Sequence, residues 1–403
     1  MKLVGKRLPH LSRESHTLLK ISFLGHTFND MYWLIIPLVL PLIKNEFKLD
    51  YAQSGFLLTS YTLTGAFGSL ITGHLGDKNG RRFILSWGFF LGSLALVLCA
   101  FSSGYWQIFF ALIILGVGIS AFHPSMIAVI SNKFPLKRGT VLGLFQFWGW
   151  VGTFGAVVAI SLLIKVSPNW RGILLILSIP GFVFAPLFFK ILKPLIQEER
   201  ENNDKITPAS SKNKTATPVF TFLIFLSANT LFVLSYNAVI NFIPTYLVEE
   251  KSLSLSAASY SFLMVIAAGF IGTILSGKAS DDLSPLNTLL AFVGFGGPVI
   301  IILTFLQNYI LLIIFLVIFG ISYSGVWAPQ QDYLAKNTPK NSRGKIYGLI
   351  FFAINIIGAI APGITGIIAD KFSLPVALRA MSIPIFFSLI LLFLLKRKEK
   401  NRN

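Results

Sequence analysis

Twelve apolar runs, each about as long as a helix needs to cross a hydrocarbon layer, follow one another along the chain, and few folds accommodate such a pattern. They fall near residues 17–43, 52–76, 82–102, 105–132, 138–165, 170–194, 218–247, 254–279, 285–306, 309–333, 343–369 and 373–396. Of the 403 residues, 54% are hydrophobic and 12% charged, against roughly 25% charged in a water-soluble domain. Such a chain reads as an all-α membrane protein with twelve transmembrane helices. The net charge of +18 does not point to nucleic acid, because the basic residues sit in short loops between apolar runs. An even number of spans puts both termini on one side. If that side is the cytoplasm, 27 of the 34 Lys and Arg are cytoplasmic and 7 lie in the opposite loops. The positive-inside rule therefore predicts cytoplasmic termini and a multi-pass protein of the cytoplasmic (inner) membrane. No cleavable signal peptide is expected, because Met1 to Ser15 is polar and basic and the first apolar run is too long for one. Cys99 stands alone in an apolar run, as a small lipid-facing or packing residue with no disulfide partner.

One polar stretch, 197–217, is long enough to be a linker and too polar to bury much. It separates an expected six-helix bundle over 1–196 from a second over 218–403. The two are related. A shift of 204 places Gly73 and Asp77 on Gly277 and Asp281. A shift of 205 places Pro124 on Pro329, Arg138-Gly139 on Arg343-Gly344, Gly143-Leu144 on Gly348-Leu349 and Phe147 on Phe352. A near-constant offset across several segments reads as two parallel repeats about an axis along the membrane normal.

Between the second and third runs lies a tight charged turn, Gly73-His74-Leu75-Gly76-Asp77-Lys78-Asn79-Gly80-Arg81-Arg82. It resembles, at every defined position, the loop 2–3 signature of the major facilitator superfamily of secondary transporters. The resemblance implies twelve helices in two pseudo-symmetric halves, alternating access, a monomer, and a conformational latch made by Gly73, Asp77, Gly80, Arg81 and Arg82. The corresponding turn of the second repeat, from Gly277 to Asp282, has lost the Gly-Arg-Arg end. Glycines of span two (Gly65, Gly68, Gly73) and of span eleven (Gly358, Gly363, Gly366) are, by the same resemblance, expected to pack together at a sliding interface.

Sixteen acids are present, and Asp30 alone falls in the middle of a span. A carboxylate at that depth costs roughly 3 kcal/mol and should face the bundle interior or a wet cavity. His26 stands one turn earlier and Asn29 beside it, so His26, Asn29, Asp30 and Trp33 share one broad face. Asp30 reads as a proton-coupling carboxylate with His26 as its partner; the alternative is a neutral, structural Asp30. His123-Pro124 lies midway along span four, where proline bends a helix and frees a carbonyl. His123 belongs either to the central cavity or to a helix–helix bond. Pro329 is its neighbour's counterpart, so helices four and ten are expected to bend at matching places. Candidate solute-binding residues, aromatic or neutral hydrogen-bonding, are Trp33, Gln146, Trp150, Asn229, Tyr236, Asn237, Tyr323, Trp327 and Gln330. The alternative places them in interfacial belts or helix contacts. No Lys or Arg lies in mid-span, which favours a neutral, zwitterionic or amphiphilic solute over a polyanion. No nucleotide-binding loop, metal-ligand spacing or nucleophile–base pair is discernible, so no cofactor, metal or enzyme activity is expected, and a proton gradient is the expected energy source.

Three strings resemble the fosmidomycin-resistance branch of drug exporters: residues 25–31 (Gly-His-Thr-Phe-Asn-Asp-Met), residues 121–124 (Ala-Phe-His-Pro) and residues 143–146 (Gly-Leu-Phe-Gln). The resemblance implies proton-driven antiport of small toxic compounds, with Asp30 and His123 functional. In span five, the Gly-Pro common in such antiporters is Ala156-Val157 here, and span four lacks their arginine. Uptake of a nutrient or siderophore-like solute by proton symport stays open, as does a non-transporting receptor or scaffold.

Overall fold

The computed structural model describes residues 13–134, 138–203, 219–337 and 343–400. These residues fold into fifteen α-helices, and no strand occurs among them. The first seven are α1 (Arg13–Phe47), α2 (Tyr51–Asn79), α3 (Arg81–Ala100), α4 (Tyr105–Ser120), α5 (Phe122–Lys133), α6 (Arg138–Val166) and α7 (Trp170–Asn203). The rest are α8 (Val219–Glu249), α9 (Leu255–Leu283), α10 (Pro285–Phe305), α11 (Tyr309–Ser324), α12 (Trp327–Asn337), α13 (Arg343–Lys371), α14 (Leu374–Ala380) and α15 (Ile383–Lys400). Ten segments among the described residues are long and apolar enough to span a membrane, with α4–α5, α11–α12 and α14–α15 each forming one. Helices α1 and α2 have the length, at 35 and 29 residues, but not the apolarity. Polar His26, Asn29 and Asp30 dilute α1, and Gly, Ser and Thr dilute α2.

The internal repeat is visible in the helix bounds. Helices α2 and α9 both have 29 residues and start 204 apart, and α4 and α11 both have 16 and also start 204 apart. Helices α6 and α13 both have 29 and start 205 apart. The expected bends in spans four and ten are outright breaks, at Ala121 and at Gly325–Val326. Each follows from the proline just beyond, since Pro124 and Pro329 clash with the carbonyls four residues earlier, those of Ser120 and Gly325. The Ser120 carbonyl is not left bare, because the Thr72 hydroxyl donates to it at 3.2 Å. Span twelve breaks too, between Ala380 and Ile383, and Pro384 bears the same relation to Ala380. The linker expected from 197 begins later, because α7 runs on to Asn203; residues 204–218 lie outside the described residues.

The interior is as apolar as the exterior. Leu38, Val39, Leu57, Leu112, Phe242, Phe262 and Leu316 are fully buried, and Ile274, Phe295, Phe387 and Phe393 are exposed. Water would not tolerate the second set, and a hydrocarbon surround would. Cys99 is fully buried, so it is a packing residue rather than a lipid-facing one.

Helices α2 and α13 pack closely, and of the expected glycines Gly363 and Gly366 of α13 meet α2, whereas Gly65, Gly68 and Gly73 of α2 meet other helices. A Cβ on Gly55 would stand 2.3 Å from the Pro362 carbonyl oxygen, and one on Gly366 would stand 2.1 Å from that of Tyr51. Gly363 lies on Thr59, whose hydroxyl accepts its N–H at 3.1 Å. Gly65 and Gly68 instead face Gly116 and Ser120, Gly73 faces Pro124, and Gly358 faces Asn237. Several helices cross α2, and spacing alone does not say which one Gly65, Gly68 and Gly73 meet. At the end carrying the α1–α2 turn, polar contacts tie the first seven helices to the later ones. Asp370 accepts the first two N–H groups of α2, from Tyr51 at 2.8 Å and Ala52 at 2.7 Å. Glu249 accepts from Lys44 Nζ at 3.1 Å and from the Tyr51 hydroxyl at 2.7 Å.

Candidate functional site

Helix α1 carries His26, Asn29 and Asp30 inward, and α5 brings His123 to meet them. The break before Pro124 lets α5 take its own direction, so that His123, one residue before the proline, reaches Asp30. Asp30 Oδ1 lies 3.2 Å from His123 Nε2, and Asn29 Nδ2 donates to the same oxygen at 3.2 Å. Asp30 Oδ2 lies 3.1 Å from His26 Nε2. The carboxylate is thus held on both oxygens by groups able to donate a proton or a hydrogen bond, as an acid at this depth requires.

The far side of His26 fixes its chemistry. Its Nδ1 is 2.6 Å from the Phe145 carbonyl oxygen of α6, which can only accept, so Nδ1 carries hydrogen. In a neutral ring Nε2 would then be a bare acceptor, facing a carboxylate oxygen. Two acceptors do not rest 3.1 Å apart unless a proton sits on one of them. The contact is off the line that a ring N–H···O bond takes, so Nε2 is buried without a hydrogen-bond partner among the described residues. His26 is fully buried, with its ring 3.9 Å from that of Phe145, whereas His123 is 35% exposed and Asp30 14%. His123 is therefore the most accessible titratable member of the cluster. The three donor atoms lie within 4.8 Å of one another, a spacing that a metal ion could also occupy. Sequence spacing does not reveal this, because His123 is 93 positions from Asp30.

The solute-binding set is brought together only in part. Tyr236 is fully buried, its hydroxyl 2.5 Å from Ser322 Oγ and its ring 5.3 Å from Tyr323. Asn229 is buried and donates to the Phe225 carbonyl of its own helix at 2.7 Å. Tyr236 thus packs against α11, and Asn229 is bonded within its own helix. Trp33, Asn237, Tyr323 and Trp327 are half-buried, Gln146 is exposed, and Gln330 is buried with Nε2 unpartnered among the described residues. Trp150 of α6 lies across the interface, 6.0 Å from Phe270 of α9.

Of the expected latch, Gly80 has φ +95°, the left-handed region that favours glycine, and it ends α2 and starts α3. Gly73 packs on Pro124 Cβ, Arg81 Cγ comes near Gly76, and the Arg82 guanidinium lies 4.9 Å from the Phe189 ring centre. Asp77 lies outside the described side chains. Three residues or groups that sequence reasoning missed complete the arrangement: the Phe145 carbonyl, Glu249 and Asp370. The two acids carry no sequence signal beyond standing at span ends.

Comparison with known proteins supplies the family. A model described as the Major Facilitator Superfamily matches residues 22–362 and 289–403. The chain is similar to a hexuronate transporter of Bacillus subtilis (strain 168), 25% identical over 395 residues and covering 89% of each chain. It is similar to a fosmidomycin resistance protein of Escherichia coli (strain K12), 23% identical over 406 residues, covering 97% of this chain and 95% of that one. Among solved structures, a bacterial homologue of the human lysosomal transporter Spinster, inward-facing and unoccupied, superposes with a TM-score of 0.80. It is 17% identical and covers 96% of this chain and 98% of its own, a likeness of fold alone.

Proposed function

Because the chain belongs to the Major Facilitator Superfamily, and is thus a multi-pass membrane transporter of small solutes, we propose that it is a proton-coupled exporter of small toxic organic compounds. One observation carries this reading. The three strings that resemble the fosmidomycin-resistance branch lie far apart in sequence yet converge on one cluster: His26, Asn29 and Asp30 from the first, His123 from the second and the Phe145 carbonyl from the third. A membrane-embedded acid with two imidazoles is suited to taking up and releasing a proton.

On this reading twelve spans cross the inner membrane with both termini cytoplasmic, α1 and α2 completing the count. Two six-helix halves, joined by the polar stretch that follows Asn203, rock about a central cavity as a monomer, with a proton gradient as the energy source. Asp30, with His26, Asn29 and His123, is the proton site. Trp33, Trp150, Asn237, Tyr323, Trp327 and Gln330 remain the solute-binding candidates, and the Gly73–Arg82 segment, the end of α2 joined to α3 at Gly80, is the cytoplasmic latch. A proton bound at Asp30 favours one facing state and its release favours the other.

The likeness to a hexuronate transporter supports a second reading, uptake by proton symport. Drug susceptibility and accumulation in cells expressing wild type or Asp30→Asn, at matched membrane levels, separate the two. The panel comprises fosmidomycin and a range of cationic and neutral toxins. Lower accumulation with wild type, lost in the variant, supports export. No difference across the panel refutes broad export and favours uptake.

A further inference from the structure

The wall of the proton site opposite Asp30 is made by backbone. One turn of α6 seats His26: the Phe145 carbonyl receives Nδ1 at 2.6 Å, and four residues on, Gly149 lies against the other edge of the ring. A Cβ built on Gly149 would stand 2.6 Å from Asp30 Oδ2, 2.6 Å from His26 Nε2 and 2.7 Å from His26 Cε1. Real Cβ atoms do not approach that closely. A methyl there would occupy the very space in which the two partners face each other. What it meets is also informative. On Gly149 a Cβ meets only the ends of two side chains, which can swing away. On Gly152, one turn later, it would meet the Thr27 backbone carbonyl at 2.0 Å, which cannot. On Gly155 it would meet nothing within 4 Å. Three glycines on one helix thus differ in kind: one is required by a side-chain pair, one by helix packing, and one by neither.

We propose that Gly149 is a positioning residue of the proton site: its bare α-carbon is what allows His26 and Asp30 to face each other, and a side chain there uncouples the site without unfolding the protein. The inference rests on the reading of Asp30 as the proton site. It also connects that site to the rest of the molecule, because the adjacent residue, Trp150, is one of two α6 aromatics, with Phe154, set against Phe270 of α9. A shift of α9 across Trp150 would move the turn that seats His26.

Among the described residues, the titratable groups facing Asp30 are His26 from its own helix and His123 from α5, and none comes from α6. The proton itself is therefore the probe. The purified full chain is titrated with acid and the protonated-carboxyl band followed by infrared difference spectroscopy, for wild type, Asp30→Asn, Gly149→Ala and Gly155→Ala, with melting temperatures alongside. The expected result is a band lost in Asp30→Asn. Its midpoint should move by about one pH unit or more in Gly149→Ala, because the imidazole that faces the carboxylate has been displaced, and stay in place in Gly155→Ala. A Gly149→Ala titration that superposes on wild type overturns the inference. A wild type with no band to lose refutes the reading of Asp30 instead, so the two failures are distinct. If Gly149→Ala does not reach the membrane, it is made together with His26→Ala, which removes the ring the methyl would strike. Recovery to the level of His26→Ala alone upholds the steric argument, and no recovery overturns it.

Discussion

The contacts at the α1–α2 turn make a quantitative claim about conformational balance, and Asp370→Asn tests it. In the structure the Asp370 carboxylate spans the two sets of helices, taking the N–H of Tyr51 at 2.8 Å and of Ala52 at 2.7 Å. An amide keeps one acceptor and loses the other, together with the negative charge at the α2 N-terminus. A hydrogen bond to a charged group contributes roughly 1.5–3 kcal/mol, and charge at a helix N-terminus roughly 0.3–1 kcal/mol. Asp370 is exposed, so solvent screens most of both. About 1 kcal/mol should remain, a change of about fivefold in the ratio of states closed and open at this end. Spin labels placed at Val166→Cys and Phe372→Cys, 86% and 72% exposed on opposite sets of helices, report that ratio as a distance distribution in reconstituted protein. Native Cys99 is fully buried and should contribute little background. The account predicts that the ratio of long-distance to short-distance populations grows about fivefold in Asp370→Asn. An unchanged distribution, or one shifted to shorter distance, would refute the idea that this carboxylate holds the end shut.

Gly366→Ala would bring a methyl to 2.1 Å from the Tyr51 carbonyl oxygen, and a backbone atom cannot yield as a side chain can. It should force α2 and α13 apart and cost about 1–3 kcal/mol, read as a lower melting temperature and a smaller closed fraction by the same labels. Tyr236→Phe removes one buried hydroxyl contact, to Ser322 at 2.5 Å, and leaves the ring stack. Such bonds between membrane helices average about 0.6 kcal/mol, so thermal stability should drop only slightly and transport should persist. If transport collapses while stability holds, Tyr236 is more than the packing residue described here. Glu249→Gln should weaken the Lys44 and Tyr51 contacts together and shift the distribution in the same direction as Asp370→Asn, which double labelling can check.

How much of this was legible beforehand depended on which atoms carry the structure. Helices announce themselves by apolarity, and ten do so plainly. The breaks near Ala121 and Gly325 were readable because Pro124 and Pro329 stand in mid-span; Pro384 acts by the same mechanism, but its place near the start of span twelve hid it. His26, Asn29 and Asp30 were joined by helical spacing. Only tertiary structure brings His123 to Asp30, and the resemblance of its string was the sole hint. The Phe145 carbonyl and the bare α-carbon of Gly149 were invisible, since every residue has a carbonyl and a glycine does not say what approaches it. Glu249 and Asp370 read as ordinary loop acids, because nothing in the local sequence shows that their partners are about 200 and 300 residues away. Asn229 and Tyr236 stand seven apart, on one helix face, but a face can turn to a neighbouring helix as readily as to a cavity.

The most direct test of the central claim is solute movement in proteoliposomes under an imposed pH gradient, comparing wild type with Asp30→Asn for the compound whose accumulation the wild type lowers in cells. The account predicts that wild type concentrates the compound when the gradient is applied. Asp30→Asn should lose that response while still exchanging solute in the absence of a gradient. Full gradient-driven transport by Asp30→Asn would contradict it.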